Sequence, residues 1–186
     1  MVGTKLTFLS NRWIDLNDLS TISNLTIEDI ALGLSRTNRF YGQTIKPYSV
    51  AQHAVLATNE YLYSGNLRNI AREILHHDDP ECITGDIPKQ VKIWLGESYY
   101  EKERLLHEAF NKYWDLKSDE QTLKWVKYYD EKILSGELKH LTYIQESRND
   151  LPQYIGKEII PWKPQKAYRE YLKLHYELEV HRKKSS

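Results

Sequence analysis

The sequence predicts an all-α protein, folded as a single helical bundle domain over residues 1–186. Apolar residues recur at helical spacing along most of the chain, and residues that cap helices precede several of these stretches. Strand-like alternation is confined to residues 6–9. A chain of 186 residues is long enough for one domain with a hydrophobic core of its own.

Three helices are predicted in the first half of the chain. Thr26, followed by a carboxylate three residues later, predicts the start of the first helix. Ser49 predicts the cap of the second helix, and His53 falls within the apolar face of that helix. The third helix is predicted to begin at Asn66 and to end at His77.

The second half of the chain is predicted to be helical with two irregular interruptions. In chain order the segments are a turn-rich stretch at 78–88, helices at about 96–114 and 118–135, an irregular segment at 151–162 and a last helix from about 164. Ser118 and Gln121 form a capping-box pattern, and Pro164 is tolerated in a first helical turn. The basic tail at 181–184 is interpreted as a solvated helix end that complements the helix dipole.

The composition argues against several classes of function. The 26 basic and 26 acidic side chains cancel, whereas a dedicated binder of nucleic-acid polymers or membrane surfaces needs a basic excess. No apolar run approaches the roughly 20 residues that span a bilayer. The single cysteine, Cys82, has no internal disulfide partner, and no signal peptide is evident, so we expect a cytoplasmic setting.

Four side chains form a candidate metal site. His53 lies on an apolar helix face, His77 and Asp78 follow 24 residues later, and Asp130 lies in a largely apolar helix. An antiparallel return between two short helices brings His53 close to His77, and a buried carboxylate such as Asp130 is costly unless it is paired. Two imidazoles and two carboxylates form a ligand set suited to Zn, Mn, Co or Fe.

Simpler explanations exist for each of these residues alone. A single histidine on an apolar face is more often a core residue that is hydrogen-bonded to a carbonyl group. The density of acids after His77, with Asp78, Asp79, Glu81 and Asp86 close together, favours a cation instead. For Asp79 itself we expect solvation in a surface loop.

The order of these residues, H...HD...D, resembles the signature of the HD-domain phosphohydrolase superfamily. The strings YSVAQH at 48–53 and HDDPECITGDIP at 77–88 are similar to the bacterial and phage 5'-deoxynucleotidase (YfbR-like) branch. The phage dATP triphosphohydrolases of the DatZ type are closely related to that branch. The resemblance covers roughly residues 26–144 and implies a helical bundle of the HD-domain type.

The resemblance implies a role for nine residues. The metal ligands are His53, His77, Asp78 and Asp130, and the metal is a divalent ion such as Zn, Co, Mn or Mg. Glu81 corresponds to the acid that positions or deprotonates the attacking water, and Asp86 to a second carboxylate near the scissile phosphate. Arg39 and Lys92 correspond to phosphate contacts, and Phe40 to a residue that stacks on the base. Without the resemblance, surface or core roles are the preferred explanation for Arg39, Phe40 and Lys92.

The implied function is metal-dependent hydrolysis of the 5'-phosphate or phosphates of a deoxynucleotide by a metal-activated water. The substrate is a deoxynucleoside monophosphate or a triphosphate, with dATP as the obvious candidate, and relatives form dimers or larger rings such as hexamers. A non-catalytic nucleotide sensor is an alternative, but Glu81 and all the ligands are present. Cyclic-nucleotide or alarmone hydrolysis is a further alternative, although His107 is the single histidine between Asp78 and Asp130. We expect a cytoplasmic enzyme from a bacterium or from a phage-infected cell.

Overall fold

The computed structural model describes residues 3–65, 70–117, 119–143 and 148–185. Helices account for 65% of the structure and strands for 5%, so the predicted all-α class is confirmed. Eight α-helices lie within the described residues. Among them, none combines the length and the apolar character that crossing a bilayer requires.

The elements alternate long helices with short helical turns. In chain order they are β1 (Lys5–Thr7), β2 (Trp13–Asp15), α1 (Ile27–Arg36), α2 (Val50–Tyr63), α3 (Ala71–His76), α4 (Glu81–Thr84), α5 (Lys89–Leu95), α6 (Glu97–Trp114), α7 (Glu120–Leu141) and α8 (Pro164–Ser185). Two 3₁₀ helices lie at Leu19–Asn24 and Arg39–Gly42.

The two short strands form an antiparallel hairpin, with Leu6 opposite Ile14. The strand-like pattern at residues 6–9 therefore overlaps β1, whereas β2 was not predicted. Three residues are too few for an alternating pattern to stand out in a sequence. Ile14 is fully buried, which fixes the hairpin to the helical core.

α2 is the central helix of the bundle. It packs against α1, α3, α7 and α8, so nearly every side of the helix is covered. This explains why His53, Thr58 and Gln52 are buried together with the apolar residues of α2. The predicted cap is confirmed, because the Ser49 hydroxyl accepts a hydrogen bond from the Gln52 backbone N–H.

The helix starts that were predicted from capping residues have mixed outcomes. Thr26 and Asp29 form a capping box at the start of α1, as predicted. Asp119 caps α7 by accepting the Thr122 N–H, and α7 continues six residues beyond its predicted end at 135. Asn66, Ser118 and the side chains of the basic tail beyond residue 181 lie outside the described residues.

The predicted irregular stretch after His77 contains more helix than expected. Within residues 78–88, α4 forms a single turn directly after Pro80, and α5 begins directly after Pro88. Proline prevents a helix from continuing through it, but it is compatible with a helix start. The prediction that these prolines interrupt regular helix is confirmed, but it missed that each of them precedes a new helix.

Candidate metal centre

Three helices bring the predicted metal ligands together. His53 projects from α2, His77 caps the C-terminal end of α3, and Asp130 lies in the middle of α7. One ligand atom from each of these residues lies within 4.8 Å of the other two. His53 Nε2 is 3.0 Å from Asp130 Oδ1, and His77 Nε2 is 4.0 Å from the same oxygen.

Asp78 faces the same space. Its Oδ2 atom lies 3.2 Å from His77 Nε2 and 3.8 Å from His53 Nε2. The four predicted ligands therefore converge, with His53, His77 and Asp130 forming the tightest group. The group of His53, His77 and Asp130 can hold a divalent ion.

The second nitrogen of each imidazole is held by an oxygen acceptor. His53 Nδ1 is 2.6 Å from Glu137 Oε1, and His77 Nδ1 is 2.7 Å from the carbonyl oxygen of Ile74. Because these oxygens can only accept, both Nδ1 atoms carry the proton, and Nε2 is the atom that faces the site. Both Nε2 atoms are buried and have no hydrogen-bond partner among the described residues.

The electrostatics of the site favour a positive charge at His53. Burial and the nearby Arg39 lower the pKa of His53, but Glu137 and Asp130 outweigh them and raise this pKa to about 10. Burial raises the pKa of Asp130, but His53, His77 and Arg39 outweigh it and hold this pKa far below its ordinary value. Nε2 of His53 therefore holds either a proton or a metal ion, and metal binding would release that proton.

Glu137 is a site residue that the sequence analysis missed. It is fully buried, and its two oxygens contact His53 Nδ1 and, at 3.2 Å, Arg39 Nε. Burial raises the pKa of Glu137, but Arg39 and His53 outweigh burial and bring this pKa below its ordinary value, so the carboxylate stays charged. It lies seven residues after Asp130, two turns further along the same face of α7, and that spacing was the available signal.

Arg39 lies at the edge of the candidate metal centre. Its buried guanidinium contacts Glu137 and places Nη1 3.6 Å from Asp78 Oδ2. Burial lowers the pKa of Arg39, but Glu137, Asp86 and Asp78 raise it well above its ordinary value. The site thus contains one fixed cation beside the predicted ligands.

The turn after Arg39 has an unusual backbone. Phe40 and Tyr41 have φ values of 55° and 53°, in the left-handed region that non-glycine residues seldom adopt. Asp86 Oδ2 accepts the Phe40 backbone N–H at 2.9 Å, which holds this turn in place. The half-buried Phe40 ring lies 5.7 Å from the Arg39 guanidinium carbon. The predicted roles of Phe40 in base stacking and of Asp86 in catalysis stay predictions.

Glu81 is placed by α4, which packs on α1. Its Oε2 atom is buried and has no hydrogen-bond partner among the described residues. Burial, Asp78 and Asp86 raise the pKa of Glu81 well above its ordinary value, against the effect of Arg39 and Lys92. The contact behind α4 is tight, since a Cβ atom on Gly33 would lie 2.9 Å from Cβ of Cys82.

Lys92 is paired in this structure. Its Nζ atom lies 2.5 Å from Glu103 Oε1, and this contact outweighs burial to raise the pKa of Lys92. Lys92 also contributes to the charge that Glu81 experiences. Contact between Lys92 and a phosphate stays a prediction, and such a contact would compete with Glu103.

Asp79 corrects one expectation. It was expected to be solvated in a surface loop, but it is fully buried. Asp79 accepts hydrogen bonds from Trp114 Nε1 at 2.6 Å, from His76 Nδ1 at 2.8 Å and from the Tyr171 hydroxyl. The donors come from α3, α6 and α8, and no pattern in the sequence indicates that these three helices meet at Asp79. The network fixes the residue next to Asp78 to the bundle.

A cavity of about 300 Å³ opens beside the candidate metal centre. Its lining includes His77, Asp78 and Asp130 together with Glu73, His107 and Lys117. Burial lowers the pKa of His107, despite the nearby Asp78 and Glu103, and favours a neutral imidazole. The predicted ligands therefore face a space that can admit a small molecule.

Comparison with known proteins identifies relatives whose names state no activity. The chain is 30% identical to the uncharacterized protein YfdR of Escherichia coli K12 over 164 residues, which cover 86% of this chain and 88% of that protein. It is 38% identical over 107 residues to an uncharacterized protein of Rhodobacter capsulatus, and there the match spans 54% of this chain and 53% of the relative. No protein-family model matches the chain.

Proposed function

The chain belongs to the family of the uncharacterized protein YfdR of Escherichia coli, and from its site we propose that it is a metal-dependent phosphohydrolase that acts on deoxynucleotides. The proposal assigns the chain to the HD-domain superfamily, on the order of His53, His77, Asp78 and Asp130. The substrate is a deoxynucleoside 5'-monophosphate or a dNTP, with the dATP triphosphohydrolases as the second form of the proposal.

One observation carries the proposal. Two buried imidazole nitrogens without a hydrogen-bond partner face the carboxylate of Asp130 within 4.8 Å. Lone pairs on His53 and His77 would repel that carboxylate unless a proton or a metal ion stood between them. The residues therefore fit a divalent metal ion, held by His53, His77 and Asp130 with Asp78 as the fourth ligand.

The charge of the site fits the same conclusion. Asp78, Asp130 and Glu137 are negative, and Arg39 supplies one positive charge in contact with Asp78 and Glu137. With His53 neutral, these four groups carry two net negative charges, which a divalent ion would neutralise. A bound divalent ion supplies Lewis-acid polarisation of a phosphoryl oxygen and lowers the pKa of a nearby water.

The protein's own groups have separate roles in the proposed reaction. Arg39 is fixed beside the ligands and stabilises negative charge on the phosphate as it is attacked. Glu81, with its free buried oxygen, orients the attacking water or takes its proton. Asp86 holds the turn that carries Arg39, through the N–H of Phe40, and so acts on the phosphate contact through the backbone.

The test is turnover by the purified protein. It is incubated with Mn, Co, Zn or Mg and with each dNMP and each dNTP, and the products are separated by chromatography. Deoxynucleosides from monophosphates would indicate a 5'-nucleotidase, and release of triphosphate from dATP would indicate a triphosphohydrolase. Absence of turnover with every metal and nucleotide would contradict the proposal.

Three variants refine the test. Asp130→Ala is expected to lose bound metal and activity together, whereas Glu81→Gln is expected to keep the metal and lose activity. Glu108→Gln is the matched control, because Glu108 lies exposed on α6 and pairs with Arg104. Full activity of Glu81→Gln would show that the role given to Glu81 is wrong.

A further inference from the structure

Glu73 is a buried carboxylate that the proposed reaction does not use. It lies on α3, one helical turn before His77, and only 6% of its surface is exposed. Oε1 accepts the Lys117 backbone N–H at 3.1 Å, whereas Oε2 is buried and has no hydrogen-bond partner among the described residues. A buried oxygen without a donor is costly, so a structural role for Glu73 through Lys117 explains only half of the carboxylate.

Glu73 lines the same cavity as the candidate metal ligands. The cavity of about 300 Å³ is lined by His77 and Asp130 and also by Glu73, Lys117 and His107. Glu73 precedes His77 by four residues on α3, and four residues along an α-helix correspond to about 6 Å. A volume near 300 Å³ is at the lower end of the range for small-molecule pockets.

The chemistry of a carboxylate limits what this end of the cavity can bind. An ionised carboxylate only accepts hydrogen bonds, so it selects a group that donates them. A second metal ion is not supported, because the group of ligand atoms found among the described residues contains His53, His77 and Asp130 and does not include Glu73. A hydroxyl or amino group on an uncharged part of the substrate fits the free oxygen.

We propose that this cavity binds the nucleoside part of the substrate and that Glu73 is a specificity-determining residue that accepts a hydrogen bond from a sugar hydroxyl or from an amino group of the base. The inference rests on the proposed function, because a phosphate bound beside His77 and Asp130 brings the nucleoside to the cavity that Glu73 lines. It replaces the predicted stacking of the base on Phe40, which does not line this cavity. Both donors present the same chemistry to the carboxylate, and the experiment below distinguishes them.

The experiment measures direct binding of nucleosides and does not depend on turnover. The full-length protein, loaded with Mn²⁺, is titrated calorimetrically with 2'-deoxynucleosides, with 2',3'-dideoxyadenosine and with purine 2'-deoxyriboside. The first analogue lacks the 3'-hydroxyl of the sugar, and the second lacks the amino group of the base. KM and kcat for the corresponding monophosphates are measured in parallel, together with the metal content of each variant.

Two variants and one control are compared with the wild type. Glu73→Gln keeps the size of the side chain but removes its charge, and Leu123→Trp fills the cavity from a side chain that is 51% exposed at its rim. Leu123→Trp decides the test if Glu73→Gln fails to fold. The control is Glu60→Gln, since Glu60 pairs with Lys132 and does not line the cavity.

The expected result is a 10- to 100-fold weaker affinity of Glu73→Gln for deoxynucleosides, about the effect of losing one hydrogen bond to a charged group. KM is expected to rise by the same factor, with kcat and metal content unchanged. The analogue that lacks the donor to Glu73 should bind the wild type as weakly as deoxynucleosides bind Glu73→Gln. Wild-type affinity and KM in both cavity variants, or no binding of deoxynucleosides by the wild type, would overturn the inference. Binding that depends on Glu73 without any turnover would reject the proposed function and leave this inference standing.

Discussion

The contact between Glu137 and His53 offers the sharpest test of the candidate metal centre. Glu137 accepts from two donors at once, His53 Nδ1 at 2.6 Å and Arg39 Nε at 3.2 Å. In Glu137→Gln the amide has one acceptor oxygen, so one of the two donors loses its partner. If the amide N–H₂ faces His53, the imidazole proton moves to Nε2, and that atom can no longer bind a metal.

The size of the effect follows from these contacts. Loss of a residue that orients a metal ligand typically costs about 10- to 100-fold in metal affinity. This corresponds to about 1.4 to 2.7 kcal/mol of binding free energy. The metal-free protein is expected to lose about 3 kcal/mol of unfolding free energy as well, because the buried Arg39 and His53 lose the charged partner that they share.

The assay is competition for Mn²⁺ or Zn²⁺ between the protein and a fluorescent chelator at neutral pH, with urea unfolding of the metal-free protein in parallel. The matched control is Glu120→Gln, which makes the same chemical change at an exposed position of α7 that pairs with Lys124. The control is expected to bind metal as the wild type does. Equal metal affinities for the wild type and Glu137→Gln would refute the reasoning about the imidazole tautomer.

Three further predictions follow from the structure. Chelation of the metal is expected to lower the unfolding free energy of the wild type by about 2.7 kcal/mol, relative to protein held at a metal concentration of about a hundred times Kd. Asp130→Ala should unfold at the same temperature with and without metal in calorimetry. Asp79→Asn is expected to destabilise the fold by about 3 kcal/mol in urea unfolding, because it breaks a fully buried network, while Asp150→Asn at an exposed site should change little. Burial and, to a lesser extent, His76 lower the pKa of His175 to about 4, although Glu179 and Asp79 act to raise it. The unfolded chain therefore binds a proton at this histidine near pH 6.5, whereas the folded protein binds it only near pH 4. Stability should therefore fall by about 1 to 2 kcal/mol as the pH drops from about 6.5 to 4, and pH-dependent unfolding of His175→Gln should lack that component, a result that an unchanged pH profile would contradict.

The metal ligands could be predicted because their chemistry and their helical positions agree in the sequence. His53 falls on an apolar face and is fully buried, as the helical period indicates. Asp130 was expected to be a buried carboxylate, but 35% of its side chain is exposed. The structure brings both of them to the same space, together with His77.

The partners behind the ligands could not be predicted in the same way. Asp79 was expected in solvent because its neighbours in sequence form a turn, but two of its donors, Trp114 and Tyr171, lie 35 and 92 residues further along the chain. Glu73 depends on Lys117, which lies 44 residues further along the chain. Glu137 carried a usable signal in its spacing from Asp130, although its contact with Arg39 spans 98 residues. Local patterns report the face of a helix and not what lies opposite that face.

The tight contact at Gly33 has a consequence for anyone who wishes to redesign this protein. Gly33 of α1 packs against Cys82 of α4, the helix that carries Glu81. Because glycine has no Cβ atom, α4 can lie closer to α1 there than any larger residue would allow. A Cβ atom at position 33 would lie 2.9 Å from Cβ of Cys82, so α4, which carries Glu81, would have to shift away from α1. Reach towards the reacting atoms can thus be tuned remotely, with every polar group of the pocket left as it is.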